Sequence, residues 1–286
     1  MDLRPDPRLH RHQRGLPLVT PDALHQAILD LVREVSRTVI LPRYQKLATH
    51  EVEAKAADDV VTIADHESEA MLAEGLAKIA DVPIVGEEAA FADATVFGRL
   101  TGDCWIVDPL DGTRNFARGQ PPFGILIAMA QGGVAHSGWI YDVLTERFCV
   151  AHAGKGAFVN GERVTARTTG EEKPVAAVSL LFMDMAKRDG VLAGIGDHYR
   201  LVDVPWCAAE QYPRLALGVN DLSLFERTLA WDHAAGALWL NEAGGKAARL
   251  DGSPYRVDEG DRTGLLGAAN PALWEQMAQR LAELPD

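Results

Sequence analysis

The sequence predicts an α+β protein in which helices and sheets stack as layers of one body. Three observations carry this expectation. Helical periodicity frames the chain at both ends, a series of short apolar strands fills its middle, and no Gly/Ser-rich linker interrupts its 286 residues. A chain of this length can bury a large core without staples. The composition is ordinary for a globular protein, with 47% hydrophobic and 24% charged residues, which sets aside disordered, collagen-like and disulfide-scaffold classes.

The elements follow in order. Residues Met1 to Gly15 mix Arg, His, Asp and Pro without an apolar centre, so 1–19 reads as a loose extension and not as a signal peptide. Thr20-Pro21 is a helix start, and Leu24, Ile28, Leu31, Val32, Val35 and Val39 continue at helical spacing to a stop before Pro42. A second amphipathic helix is expected near 64–80. Strands are expected at 83–85, 104–107, 124–130, 134–141 and 148–152. Gly132-Gly133 supplies a tight turn that makes this stretch an antiparallel meander. A strand at 177–182, a helix at 185–195, and strands at 201–204 and 222–226 come next. A helix opening at Asp232 stops at Gly244-Gly245, and Asn270-Pro271 opens a terminal helix to about Leu284. Residues 20–286 are thus expected to form a single domain.

Charge and cysteine content bound the function. The 28 Lys+Arg and 41 Asp+Glu leave a net charge of −13, which disfavours nucleic acid and anionic membranes as partners. Taken alone it also disfavours a phosphorylated substrate. Cys104, Cys149 and Cys207 are scattered and odd in number, the pattern of reduced, buried thiols. The longest apolar run, near 123–130, is far short of the ~18 residues of a membrane span, so a soluble, cytoplasmic protein is expected.

The most informative segment is W-I-V-D-P-L-D-G-T-R-N-F, Trp105 to Phe116. An apolar strand delivers Asp108 to its end, Pro109 breaks the strand there, and the turn brings Asp111 back towards the same point. Gly112 permits backbone geometry closed to other residues, which leaves N–H groups at Gly112 and Thr113 to face an anion. By itself the segment is equally a Pro/Asp/Gly turn. Further acids stand at other element ends: Glu87 and Glu88 after a short strand, and Asp65 and Asp232 at helix starts, where each also makes a good cap. Hard carboxylate oxygens gathered from several loop ends are what Mg²⁺ requires.

Four strings carry a family resemblance: D-D-V-V-T-I-A-D (58–65), V-G-E-E (85–88), W-I-V-D-P-L-D-G-T-R-N-F (105–116) and W-D-H-A-A-G-A-L-W-L-N-E-A-G-G (231–245). Their order and spacing resemble the inositol monophosphatase family of Mg²⁺-dependent, lithium-sensitive phosphatases. The resemblance runs from Lys55 to Gly245. It implies a layered α-β-α-β-α sandwich of two packed sheet-and-helix subdomains, a homodimer, and two or three Mg²⁺ ions per site. Glu87, Asp108, the Leu110 carbonyl, Asp111 and Asp232 would hold the metals, and Asp65 and Thr113 would orient and deprotonate the attacking water, with Glu87 assisting. Asp111, Gly112 and Thr113 would meet the substrate phosphate. The substrate implied is a small phosphate monoester, inositol monophosphate first. Histidinol phosphate, a 3′-phosphoadenosine nucleotide and fructose bisphosphate are alternatives, as is a non-catalytic regulatory role. Two departures concern the substrate. The usual Gly-Ser-Ala is replaced by residues Trp206-Cys207-Ala208, and the glutamate seven residues before the W-D aspartate is replaced by Phe225. Glu210 and Glu226 are the acids expected to substitute.

The resemblance reverses one inference. Cations bound among five of the acids would make the loaded pocket attractive to phosphate although the chain is anionic.

Overall fold

The computed structural model describes residues 21–56 and 59–284, so the extension expected at 1–19 lies outside it. Helix α1 (Pro21–Val35) continues through a π-helical turn into α2 (Leu41–Arg43), so Pro42 sits in the first turn of a new segment and does not end the helical run. A hairpin of β1 (Val52–Ala56) and β2 (Asp59–Thr62) leads into α3 (Ile63–Ile79). There Thr62 and Asp65 form a reciprocal capping box.

The large sheet has seven strands in sequential order: β3 (Ile84–Gly86), β4 (Cys104–Asp111), β5 (Gly124–Gln131), β6 (Val134–Asp142), β7 (Phe148–His152), β8 (Gly156–Val159) and β9 (Glu162–Val164). β3 and β4 run parallel, and the rest is the expected antiparallel meander. Alternation along β4 sorts its side chains onto two faces. Trp105 and Val107 pack with α1 and α3, while Cys104 and Ile106 face a second helix pair.

That second pair is α7 (Ala208–Ala216) and α8 (Ala230–Glu242). It is covered in turn by a five-stranded sheet, ordered β11 (Arg200–Val202), β10 (Val175–Val178), β12 (Leu222–Phe225), β14 (Leu265–Ala268), β13 (Lys246–Arg249). The outer face of this sheet buries α6 (Met185–Ile195) and α9 (Pro271–Ala282) through Val191, Ile195, Trp274 and Met277. The stack is therefore helix, sheet, helix, sheet, helix. Its central layer is tight: a Cβ added at Gly236 of α8 would lie 1.9 Å from the Tyr212 ring of α7.

Several details differ from expectation. Helix α8 begins at Ala230, so Asp232 lies within its first turn and does not cap it. Glu87 and Glu88 do follow a short strand, β3, as expected, and they also open a helix, α4 (Glu87–Ala92). The strand expected at 177–182 is centred earlier, which frees Ser179 to Met183 as a loop. Helix α7 and strands β13 and β14 were not anticipated. The three cysteines are free and buried, as expected.

Candidate active site

Strand β4 supplies two acids through an irregularity. Asp108 pairs with Leu126 and Asp111 with Gly124, with a register shift between them. Pro109 therefore does not break the strand. It sits in the bulge, a position where the missing N–H does no harm. The Leu110 N–H donates to Asp108 Oδ1 at 3.0 Å and fixes that carboxylate. Gly112 follows at φ +85°, the left-handed conformation that starts α5 (Thr113–Ala117) and that a residue with a Cβ disfavours.

Asp111 is held from the far side by α7. Its Oδ2 accepts the Ala209 N–H at 2.6 Å and the Cys207 thiol at 3.1 Å. Asp232 enters from α8, and ligand oxygens of Asp108, Asp111 and Asp232 all lie within 4.8 Å of one another. Glu87 lines the same pocket from the first turn of α4, outside this triad. Burial raises Asp108 well above the usual carboxylate range, with Glu87, Asp111, Asp232 and Asp65 adding repulsion. Burial likewise raises Asp111, partly offset by the Ala209 amide and the Cys207 thiol.

Behind this cluster stands a hydroxyl–carboxylate pair. Thr113 Oγ1 lies 2.9 Å from Asp65 Oδ1 and 2.9 Å from the Leu110 carbonyl, either of which accepts its proton. The other oxygen of Asp65 is committed to the cap, accepting from the Thr62 N–H at 2.7 Å and the Thr62 hydroxyl at 2.6 Å. Burial pushes Asp65 up to about 6 against the hydrogen bonds from Thr62 and Thr113.

The remaining expected residues divide. Gly112 and Thr113 line the pocket. Glu210 and Glu226 are not among its lining residues. Glu210 bonds to Arg147 at 2.7 Å and Arg214 at 2.8 Å, and Glu226 to Lys187 at 2.6 Å. Phe225 contributes to the wall instead, together with Arg114, Phe182, Trp206 and Arg227. His233 is buried and neutral, its pKa lowered to about 3 by burial. Its Nε2 donates to the Arg227 carbonyl at 3.1 Å, and its Nδ1 accepts from the Tyr212 hydroxyl at 2.8 Å.

Sequence reasoning passed over two supports. The T-x-x-D spacing of Thr62 and Asp65 is a capping-box signal. Glu69, whose carboxylate accepts the Glu88 and Ala89 N–H groups at 2.8 Å each, seats α4 and carries no local signal because its partners lie 19 and 20 residues away.

The donors fit a hard divalent cation. They are all oxygen, they converge, and the buried carboxylates repel one another without positive charge between them. A pocket built in this way is suited to holding a metal ion. The sequence pattern of the inositol monophosphatase family matches residues 22–285, and the chain belongs to that family of phosphoric monoester hydrolases. It is 32% identical to inositol-1-monophosphatase of Bacillus subtilis over 175 residues, 60% of this chain and 65% of the relative. It is also 32% identical to histidinol-phosphatase of Mycobacterium tuberculosis over 69% of this chain and 75% of the relative. The Nus factor SuhB of Pasteurella multocida is 29% identical over 85% and 90% of the two chains. Among solved structures, an inositol monophosphatase of Thermotoga maritima superposes with a TM-score of 0.75 at 24% identity, covering 90% of this chain and 96% of the other.

Proposed function

We propose that the chain hydrolyses a small phosphate monoester with the aid of Mg²⁺ held by Glu87, Asp108, the Leu110 carbonyl, Asp111 and Asp232. The observation that carries this reading is the joining of the acid triad to the Thr113–Asp65 pair across β4 and the first turn of α5. When bound, such cations supply the positive charge that holds a phosphate and acidifies an attacking water. The protein's own groups do the rest. The Thr113 hydroxyl, donating to Asp65, keeps lone pairs for the water and aligns it. Asp65, which accepts the Thr113 hydroxyl proton, is placed to receive the proton of the water through it. Gly112 and Thr113 border the place of the phosphate.

Inositol monophosphate is the substrate that the Bacillus subtilis relative's name suggests. A second reading, a substrate whose leaving portion is not a polyol, is favoured by Phe225 in the wall and by Glu210 and Glu226 engaged in ion pairs. The test is phosphate release from a panel of monoesters with Mg²⁺, in chelator, and in Asp111→Asn. Turnover that needs the cation and disappears in the folded variant is expected. Substantial release in EDTA would sink the proposal.

A further inference from the structure

One imidazole ties together the two helices that hold the acid triad. His233 stands in the first turn of α8, directly after Asp232, and is 3% exposed. Both of its ring nitrogens are in use. Nε2 lies 3.1 Å from the Arg227 carbonyl, a group that can only accept, so Nε2 carries the proton. Nδ1 therefore accepts, and the Tyr212 hydroxyl donates to it at 2.8 Å. Edge contacts with Phe225, Tyr212 and Tyr255, at centroid separations of 4.7, 6.0 and 6.2 Å, hold the ring from three sides.

These partners matter for what else they carry. Tyr212 lies on α7, three residues after Ala209, whose N–H donates to Asp111 Oδ2. Arg227 belongs to the short link between β12 and α8, and Leu229 at the end of that link gives the helix no side-chain cap. The entry of the chain into α8 is fixed instead through carbonyls. That of Arg227 is held by His233, and those of Thr228 and Leu229 by the Tyr255 hydroxyl at 3.2 and 3.3 Å. Asp232 follows within that first turn, and it must bring an oxygen within 4.8 Å of those of Asp108 and Asp111. A small cation with ligand distances of about 2.1 Å tolerates little drift in such a set. A phenylalanine at 233 would fill the same volume and keep the edge contacts. It would also leave the Tyr212 hydroxyl and the Arg227 carbonyl without this partner inside the fold, so packing alone does not account for a histidine there.

We propose that His233 is a positioning residue of the cation site: by bonding Tyr212 of α7 and the Arg227 carbonyl at once, it sets the register of α8 that brings Asp232 to Asp108 and Asp111. The proposal rests on the cation-dependent reading above and adds to it a residue that acts through Asp232.

The test is calorimetric titration of the full chain with Mg²⁺ alone, well below the melting temperature, with circular dichroism verifying that each variant is folded. H233F loses both bonds, whereas H233Q keeps a donor and an acceptor at the spacing of the two ring nitrogens. H233F should weaken Mg²⁺ binding about tenfold or more, the usual effect of removing a residue that orients a ligand. H233Q should return the affinity to within about threefold of the parent. Y212F should lose part of it, and H233F/Y212F should bind no more weakly than H233F, because the two changes remove one shared bond. Folded H233F with an affinity within about twofold of the parent would overturn the proposal. So would an H233Q as weak as H233F, which would make the shape of the ring and not its bonds the cause. If H233F does not fold, Y212F decides: a loss of about threefold or more upholds the proposal, and an unchanged affinity overturns it. A parent that binds no Mg²⁺ would overturn the cation reading and this proposal together, whereas normal parent binding with an unmoved H233F overturns this proposal alone.

Discussion

Asp108→Asn separates what the acid cluster does for a cation from what it does to the fold. The Asp108 side chain is 2% exposed, and its pKa is raised first by burial and then by Glu87, Asp111 and Asp232. Two unit charges separated by the 4.8 Å that bounds the triad repel by about 3 kcal/mol at an effective dielectric near 20. Asparagine preserves the oxygen that accepts the Leu110 N–H and removes the charge. The parent relieves part of the repulsion by taking up a proton, so the gain should be smaller than the full figure. In EDTA near pH 7 the variant should be about 1–3 kcal/mol more stable than the parent by urea unfolding. Titrating Mg²⁺ should then reverse the order, because the parent gains stability with the logarithm of cation concentration and the variant gains little. Destabilisation of the variant in EDTA by more than about 1 kcal/mol would refute the reasoning, as would an undiminished response to Mg²⁺.

Three further outcomes are expected. Thr113→Val keeps the shape of the side chain and removes the hydroxyl that bonds to Asp65, so kcat should drop about 10²- to 10⁴-fold while Mg²⁺-dependent stabilisation persists; an unchanged kcat would remove Thr113 from the reaction. Asp65, raised from 3.8 to about 6, binds its proton more tightly in the folded state, so its contribution is full below pH 4 and is lost as pH rises through 6. Metal-free protein should therefore lose about 2 kcal/mol more than Asp65→Asn between pH 4 and 7, and parallel stability profiles of the two would contradict the assignment. Gly236→Ala drives a methyl group into the Tyr212 ring and should cost about 1–3 kcal/mol in urea unfolding; an unmoved midpoint would mean that α7 and α8 can part at no cost.

That helices and sheets would stack was legible from the alternation of helical and strand-like periods, whereas the five-layer order was implied only by the family resemblance. The nearness of Asp108 to Asp111 was legible because Pro/Gly chemistry constrains a short turn of chain, whereas the part of Asp232, 121 residues further on, was implied only by the family resemblance. Helix α7 escaped notice. Pro213 lies inside it, yet buried Tyr212 and Leu215 and the donation from Ala209 to Asp111 hold it in place. Strands β13 and β14 have four residues each, too few for a pattern to stand out. The fate of Glu210 and Glu226 depended on Arg147 and Lys187, 63 and 39 residues away in the chain, and no local pattern announces such partners.

The triad has a topological consequence. Asp108 and Asp111 leave the large sheet, whereas Asp232 belongs to the helix layer between the sheets. A cation gripped by all three would act as a removable rivet, closing the long loop of chain between Asp108 and Asp232 and pinning the second layer to the third. Chelation would then do more than silence a reaction. It would let the seam between the large sheet and α8 breathe, and amide exchange along the first turn of α8 should quicken before that of the outer helices α6 and α9.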